Sequence, residues 1–393
     1  MATNDRVAAI GVGYSQVGRR TGLTSRQMTA QAGRAAFDDC GITAAQIDGV
    51  VMHWGVAGPE PAGLEHVDAL DAALMFGITP VNFFSSDAMG PAYSHAAIQA
   101  IAAIKSGLAH TVLTFRVINQ RMSSAEERAS MVGPTRVGGD TQFTAPFGSI
   151  NGAQSIAALP AQRHMELYGT TEEQFGAHVL AQRQHASLND DAIFRDPLTM
   201  EDYLAARYVS KPMRLLDCDY PVDSASAIIY TTEERARDFK KKPVFVEAAA
   251  HSGIDVLPGG FEKVRDMNHS SPFHAAETLW SRTDLKPADV DCAQLYDGFT
   301  IIVFQWLEAM GFCGEGEAGP FVASGATRLG GSLPVNTDGG ACNVGRRHGA
   351  NFCIESIRQL RGESGARQVP DAKVAAWANA VGPFSAAFLM TAD

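Results

Sequence analysis

Gly41-Ile42-Thr43-Ala44-Ala45-Gln46-Ile47-Asp48-Gly49-Val50-Val51-Met52 and Asp284-Leu285-Lys286-Pro287-Ala288-Asp289-Val290-Asp291-Cys292-Ala293-Gln294-Leu295 lie a constant 243 residues apart and read alike. Each follows a helical pattern, turns, and runs into an apolar strand. A second echo pairs Pro80-Val81-Asn82 with Pro334-Val335-Asn336, 254 residues on, each ahead of a glycine-containing loop and an apolar helix. The chain is therefore a duplication of two α/β halves, and a duplicated fold places its ligand where the halves meet. His53 and Tyr296 directly follow the two copies, so Tyr296 stands at a strand end facing that meeting point.

The halves are expected over residues 1–241 and 242–393. The first begins with a buried strand at Val7. A helix follows, opened by the capping pair Thr24 and Gln27 and stopped at Gly41, where a residue free to turn left-handed is favoured. Pro91 to Ser106 reads as the next long helix, with proline in its first turn. About 117–215 is more polar and lacks a regular period, and is read as a loop insertion covering a site. Asp223 to Tyr230 returns to a buried strand. The second half carries a helix opened at Ser271-Pro272, another through Phe304 to Trp306, a helix from Ala350 to Leu360 and a strand pair from Val374 to Met390. Strands alternating with helices imply mixed sheets with helices on both faces.

Of the 393 residues, 46% are hydrophobic and 19% charged, enough for a large core. A net charge of −11 argues against nucleic-acid binding, which needs a concentrated basic surface. Six scattered cysteines with no Cys-x-x-Cys argue against a zinc or disulfide framework, and no apolar run is long enough for a membrane span. A soluble, cytoplasmic protein is expected.

Chemistry is concentrated in two places. The loop Gly339 to Gly349 puts Arg346, Arg347 and His348 just before a helix, where the backbone dipole prefers anions. Either these cations point to solvent, or they meet an anion: Asp297, Asp338, a ligand phosphate or an enolate. Tyr296 is either a satisfied core tyrosine or an acid/base group whose pKa a cation such as Arg346 lowers. Asp297 either orients one of those partners or caps the following helix. His53 either lines the same cavity across the pseudo-twofold or is structural, and His95 is read as packed.

These landmarks resemble the thiolase superfamily over essentially the whole chain. The segments that carry the likeness are Pro212 to Ala227, Tyr296-Asp297-Gly298-Phe299 and Asn336 to Gly345. The resemblance implies a five-layered αβαβα fold and a dimer. The catalytic stations differ, however. No cysteine lies in Ser85 to Gly90, where the nucleophile belongs, and none in Ala378 to Gly382. Tyr296-Asp297-Gly298-Phe299 replaces the family's Asn-Glu-Ala-Phe, and Arg346 stands at its histidine, with His348 two residues on. The pattern is similar to the lipid-transfer-protein branch, the thiolase-like aldolases of steroid side-chain degradation, although a second tyrosine of that branch is absent at Arg346.

That branch implies retro-aldol cleavage of a β-hydroxyacyl-CoA, and a small OB-fold, zinc-ribbon partner subunit in a heterotetramer. CoA is part of the substrate, and no metal or redox cofactor is expected. The expected base is Tyr296, as phenolate, or His348. Arg346, backbone N–H groups near Gly90 and Gly382, and the start of the Pro91 helix would hold the enolate oxygen. Gly340, Gly345 and His53 would line the substrate site, and arginines of 117–215 would meet the CoA phosphates. Two rivals remain: an acyl-CoA acyltransferase using Cys342, and a non-catalytic acyl-CoA or lipid scaffold.

Overall fold

The computed structural model describes residues 6–54, 67–87, 91–119, 157–254 and 266–393. Its strands are β1 (Val7–Tyr14), β2 (Gly49–Trp54), β3 (Phe83–Asp87), β4 (Thr111–Ile118), β5 (Tyr208–Ser210), β6 (Met213–Arg214), β7 (Ser224–Thr232), β8 (Val244–Gly253), β9 (Cys292–Leu295), β10 (Val374–Val381) and β11 (Phe384–Thr391). The principal helices are α1 (Ser25–Cys40), α2 (Ala69–Phe76), α3 (Tyr93–Lys105), α4 (Leu159–Tyr168), α5 (Glu172–Ser187), α6 (Ser271–Trp280), α7 (Thr300–Ala309) and α8 (Ala350–Arg361).

Nine strands form one sheet in the order β3-β2-β4-β7-β1-β8-β11-β10-β9. Outward from the β1–β8 seam the two wings mirror each other. On one side come β7, β4, β2 and β3. On the other come β11, β10, β9 and a parallel bridge from Ala293 to Val335. In each wing the first two neighbour pairs are antiparallel and the next pairs are parallel. The duplication in the sequence is thus a duplication of topology. The wings are joined by three residue pairs, Val7 with Val246, Ala8 with Phe245 and Ala9 with Val244.

Five layers follow from where the apolar side chains lie. The outer face of the first wing is covered by α1 and α2, with Met28, Ala32, Ile10 and Phe115 in one core. The outer face of the second wing is covered by α6 and α7. Between the wings, α3 and α8 share a third core with Val51, Ile228, Trp377 and Phe388 from both of them. The capping box of α1 forms as expected: the Thr24 hydroxyl accepts from Gln27 N at 3.1 Å, and Gly41 ends the helix at φ +74°. Helix α1 lies almost on the backbone of β1, and a Cβ at Gly13 would sit 2.3 Å from the Ala32 carbonyl oxygen.

Two expectations need correction. Helix α3 starts at Tyr93, not Pro91, because Ala92 adopts φ +57°. The described part of the 117–215 insertion is not irregular. It carries α4, α5 and a short helix over Met200–Ala205, and β4 itself continues to Ile118. A regular period was hidden because α5 is buried on several sides, with His178, Gln182 and His185 inside as well as Phe175 and Val179. Polar residues that pack inward erase the apolar stripe that marks an amphipathic helix.

The repeated aspartates do the same work in both halves. Asp48 accepts from His110 N at 2.9 Å and Thr111 N at 2.8 Å, at the start of β4. Asp291 accepts from Lys373 N at 2.7 Å and Val374 N at 2.9 Å, at the start of β10. Each fixes where the next parallel strand begins. Asp48→Ala and Asp291→Ala should each lower unfolding free energy by about 1–3 kcal/mol in urea titrations, since each orphans two backbone donors. A change near zero for both would show that the turns hold without them.

Candidate functional site

The loop after β9 begins with Tyr296, whose N–H bonds the Ala378 carbonyl at 3.1 Å. Its ring then folds back over Gly298, where a Cβ would stand 2.4 Å from the phenol oxygen. The ring meets His348 edge-on at 6.3 Å between centroids, and Phe352 at 6.2 Å. Among the described residues the hydroxyl has no hydrogen-bond partner, so it is available to a ligand. A lowered pKa was expected. The structure reverses it: burial and the nearby Asp219 carboxylate raise the phenol, outweighing Arg346, which alone opposes the rise. Tyr296 is a neutral phenol, not a phenolate.

Asp297 faces the other way and is fully buried. Its carboxylate accepts from Ala341 N at 2.8 Å, Cys342 N at 3.2 Å and Gln182 Nε2 at 2.9 Å. It therefore caps the one-turn helix Ala341–Val344, and neither orients Arg346 or His348 nor caps α7. Burial raises it to about 7, partly offset by the Ala341 and Cys342 N–H groups. Gly340, at φ +69°, is required here, because a Cβ would fall 2.2 Å from Asp297 Oδ2. Gly345, at φ +91°, faces Val222, where a Cβ would stand 2.5 Å from Cγ1. Both glycines shape the loop rather than present a binding group of their own.

The same loop delivers Arg346 and His348. Arg346 Nη1 lies 3.5 Å from Asp219 Oδ1, and its N–H bonds the Tyr220 carbonyl at 2.8 Å. Arg347 turns away, its guanidinium 4.2 Å from the Tyr14 ring centre. His348 adopts φ +46°, an uncommon conformation for a residue with a side chain. Its carbonyl accepts from Tyr93 N at 3.2 Å, so the first N–H of α3 is already engaged and does not serve as a free oxyanion donor. Asn379, on β10, braces this junction by donating to the Pro91 carbonyl.

Two residues here were missed from sequence. Arg116, on β4, is buried and donates from Nη1 to His53 Nδ1 at 2.8 Å and from Nη2 to His348 Nδ1. It has no carboxylate partner among the described residues. Burial and Arg346 push it down to about 9. Its signal was a lone charged residue within the otherwise uncharged, β-branched-rich stretch Thr111 to Ile118. Asp219, in the segment before β7, has its N–H on the Gly298 carbonyl at 3.1 Å. One of its oxygens is buried with no partner, and burial raises it to about 6 against the pull of Arg346.

Of the remaining expectations, His53 lies in this cluster, buried beside Arg116. Gly382 sits in the turn between β10 and β11 with its carbonyl on Ser271 N at 3.0 Å. Gly90 lies outside the described residues. His95 pairs with Asp87 at 2.9 Å rather than packing in the core. Cys342 is buried and donates from Sγ to the Asp297 carbonyl, and burial with Asp297, Asp219 and Asp217 nearby raises its thiol. A thiol that stays protonated is a poor nucleophile. No described helix is long and apolar enough to cross a membrane.

A family model described as thiolase C-terminal domain-like matches residues 260–391. The 17-hydroxy-3-oxo-4-pregnene-20-carboxyl-CoA lyase of Mycobacterium tuberculosis is 34% identical, over 91% of this chain and 92% of its own. An acetyl-CoA acetyltransferase of Methanothermobacter thermautotrophicus is 31% identical over 94% of each. Among solved structures, one described as an Ltp2-ChsH2(DUF35) aldolase superposes with TM-score 0.84 at 30% identity, covering 100% of this chain and 99% of its own.

Gly298→Ala should drive the Tyr296 ring off its seat and away from His348, since the clash is with the tip of a mobile side chain. A crystal structure of the variant should show the ring rotated, with the melting temperature nearly unchanged. An unmoved ring would mean that Gly298 does not set its position.

Proposed function

This chain belongs to the thiolase superfamily, in the lipid-transfer-protein branch of steroid side-chain-cleaving aldolases, and we propose that it splits a β-hydroxyacyl-CoA by a retro-aldol reaction. The observation that carries this reading is the convergence of a neutral phenol, Tyr296, with two guanidinium groups, Arg116 and Arg346. Arg116 lacks a carboxylate partner among the described residues. Such a site is short of negative charge until a reaction supplies it, and an enolate does so at the moment of bond cleavage.

The steps balance without a metal or redox cofactor. The β-hydroxyl proton passes to the Tyr296 oxygen as the phenolic proton moves through an intervening water to Asp219, which is ionised at neutral pH. The hydroxyl carbon becomes a carbonyl, the Cα–Cβ bond breaks, and its electron pair becomes the thioester enolate. The same proton then returns through Tyr296 to Cα. A ketone or aldehyde and a shortened acyl-CoA leave. Tyr296 begins and ends as a phenol, so its raised pKa is no obstacle. The substrate class is a CoA thioester carried on a steroid side chain, in line with the lyase named above.

Acyl transfer through Cys342 is the weaker reading, because that thiol is held protonated among carboxylates. A non-catalytic scaffold does not account for an unpartnered carboxylate oxygen beside the phenol. With a β-hydroxyacyl-CoA substrate, Tyr296→Phe should lower kcat by about a hundredfold or more, while Cys342→Ser stays near wild type. The rate should fall as pH drops through about 6, where Asp219 takes up a proton, and Asp219→Asn should abolish that limb. Full activity in Tyr296→Phe refutes the mechanism; loss in Cys342→Ser restores the acyltransferase.

Assembly follows the same family logic. Strand β3 closes one edge of the sheet; Phe84 on it and Leu74 on α2 are 56% and 80% exposed. An open, apolar edge is a template for pairing. We infer a homodimer across β3, joined by a small OB-fold, zinc-ribbon subunit; the two-part description of the Ltp2-ChsH2(DUF35) aldolase supports a partner subunit. Leu74→Lys with Phe84→Lys should yield monomers in sedimentation equilibrium; an unchanged dimer would place the interface elsewhere.

A further inference from the structure

Arg116 and His53 are register partners on adjacent parallel strands, β4 and β2, and His348 reaches the same guanidinium from the far half of the molecule. Guanidinium has N–H groups to give and no lone pair to receive. Both contacts therefore run from arginine to histidine, and each histidine offers its Nδ1 lone pair. A neutral imidazole with a bare Nδ1 carries its hydrogen on Nε2. We infer that His348 is a fixed neutral Nε2–H donor to the thioester oxygen as it becomes an enolate, and that Arg116 is the positioning residue that sets this tautomer.

The surroundings support the same assignment. Among the described residues, the charged and titratable groups facing His348 are Arg116 on β4, His53 on β2, Arg346 on its own loop and the Tyr296 phenol after β9. None of them is a carboxylate. A second proton would have to occupy Nδ1, so it would break the Arg116 bond and add a positive charge beside two guanidinium groups. Burial and these cations hold His348 well below the ordinary histidine range. With Nδ1 occupied by Arg116 and the side chain partly exposed, Nε2 is the ring nitrogen left for a ligand. His348 consequently has no lone pair to act as a base. Proton removal falls to Tyr296 and Asp219. A neutral histidine that donates to a developing oxyanion costs no reorganisation at the moment of reaction.

This inference rests on the retro-aldol reading, and its first test does not. In protein labelled with 15N-histidine, the His348 resonances, assigned by their loss in His348→Gln, should show the Nε2–H tautomer from pH 5 to 8 without titration. An Nδ1–H tautomer or an imidazolium at pH 7 overturns the proposal whatever the substrate. In Arg116→Met, His348 should begin to titrate toward its ordinary range. If that variant does not fold, the wild-type spectrum decides alone.

The second test uses β-hydroxyacyl-CoA turnover. His348→Gln can present an amide N–H near the Nε2 position and should stay within about tenfold of wild type. His348→Leu should lose on the order of 10²–10³ in kcat, the cost of one oxyanion donor. Equal losses in both would overturn the donor role. A wild-type enzyme that cleaves no β-hydroxyacyl-CoA would instead refute the reaction and leave the tautomer measurement standing.

Discussion

The Asp297 carboxylate, sunk out of contact with water, fastens the Tyr296 loop to the loop that carries Arg346 and His348. Its oxygens take the first two N–H groups of the Ala341–Val344 turn and the amide of Gln182, so three separate stretches of chain meet on one side chain. Burying a carboxylate is costly unless it is well hydrogen-bonded. The same burial that raises its pKa ensures that only a closely fitted loop is tolerated. Gly340 is part of that fit, since any side chain there would occupy the space of the carboxylate. The clamp lies beneath the site and leaves the phenol and the cations facing away from it.

Above the clamp the titratable groups shift in one common direction, toward neutrality. Tyr296 is pushed up and stays a phenol; His348 and Arg116 are pushed down. Burial is the first cause in all three. For His348 and Arg116 the neighbouring cations add to it; for Tyr296 the Asp219 carboxylate adds to it and Arg346 opposes it. A site in this condition is unfavourable to a further cation and favourable to an anion. An enolate formed in place, whose charge did not have to be stripped of water on entry, is well suited to it.

The architecture was legible from the repeats because they encode parts that recur in space. Asp48 and Asp291 hold strand starts, and the wings mirror each other about β1 and β8. The capping pair Thr24 and Gln27 likewise acts within three residues, a range that sequence conveys directly. The site was legible only in part. Tyr296, Arg346, His348 and His53 do come together, but their protonation states depend on burial and on partners distant in sequence. Arg116 meets His348 across 232 residues. Asp219 acquires its role from a loop nearly 130 residues later. Asp297 was ambiguous because a carboxylate after a strand serves equally well as cap or orienter, and only the approach of Ala341 decides between them.

Replacing a thiol by a phenol changes what the scaffold around it must do. A thiol nucleophile needs help to ionise, from a histidine or a cation close to sulfur. Here Cys342, the thiol in the site loop, lies among Asp297, Asp219 and Asp217, which oppose ionisation. A phenol that relays a proton needs no ionisation in its resting state; it needs an acceptor behind it and an oxyanion site ahead of it. Asp219 supplies the first with its unpartnered oxygen. Arg346 and the Arg116–His348 pair supply the second. The carboxylates that silence the cysteine are thus compatible with the proposed relay, and Asp219 belongs to both arrangements: it helps suppress the thiolate and, in that relay, receives the proton. Burial and Asp297 weigh more on the Cys342 thiol than Asp219 does, so the whole pocket holds the thiol protonated while the relay draws on Asp219.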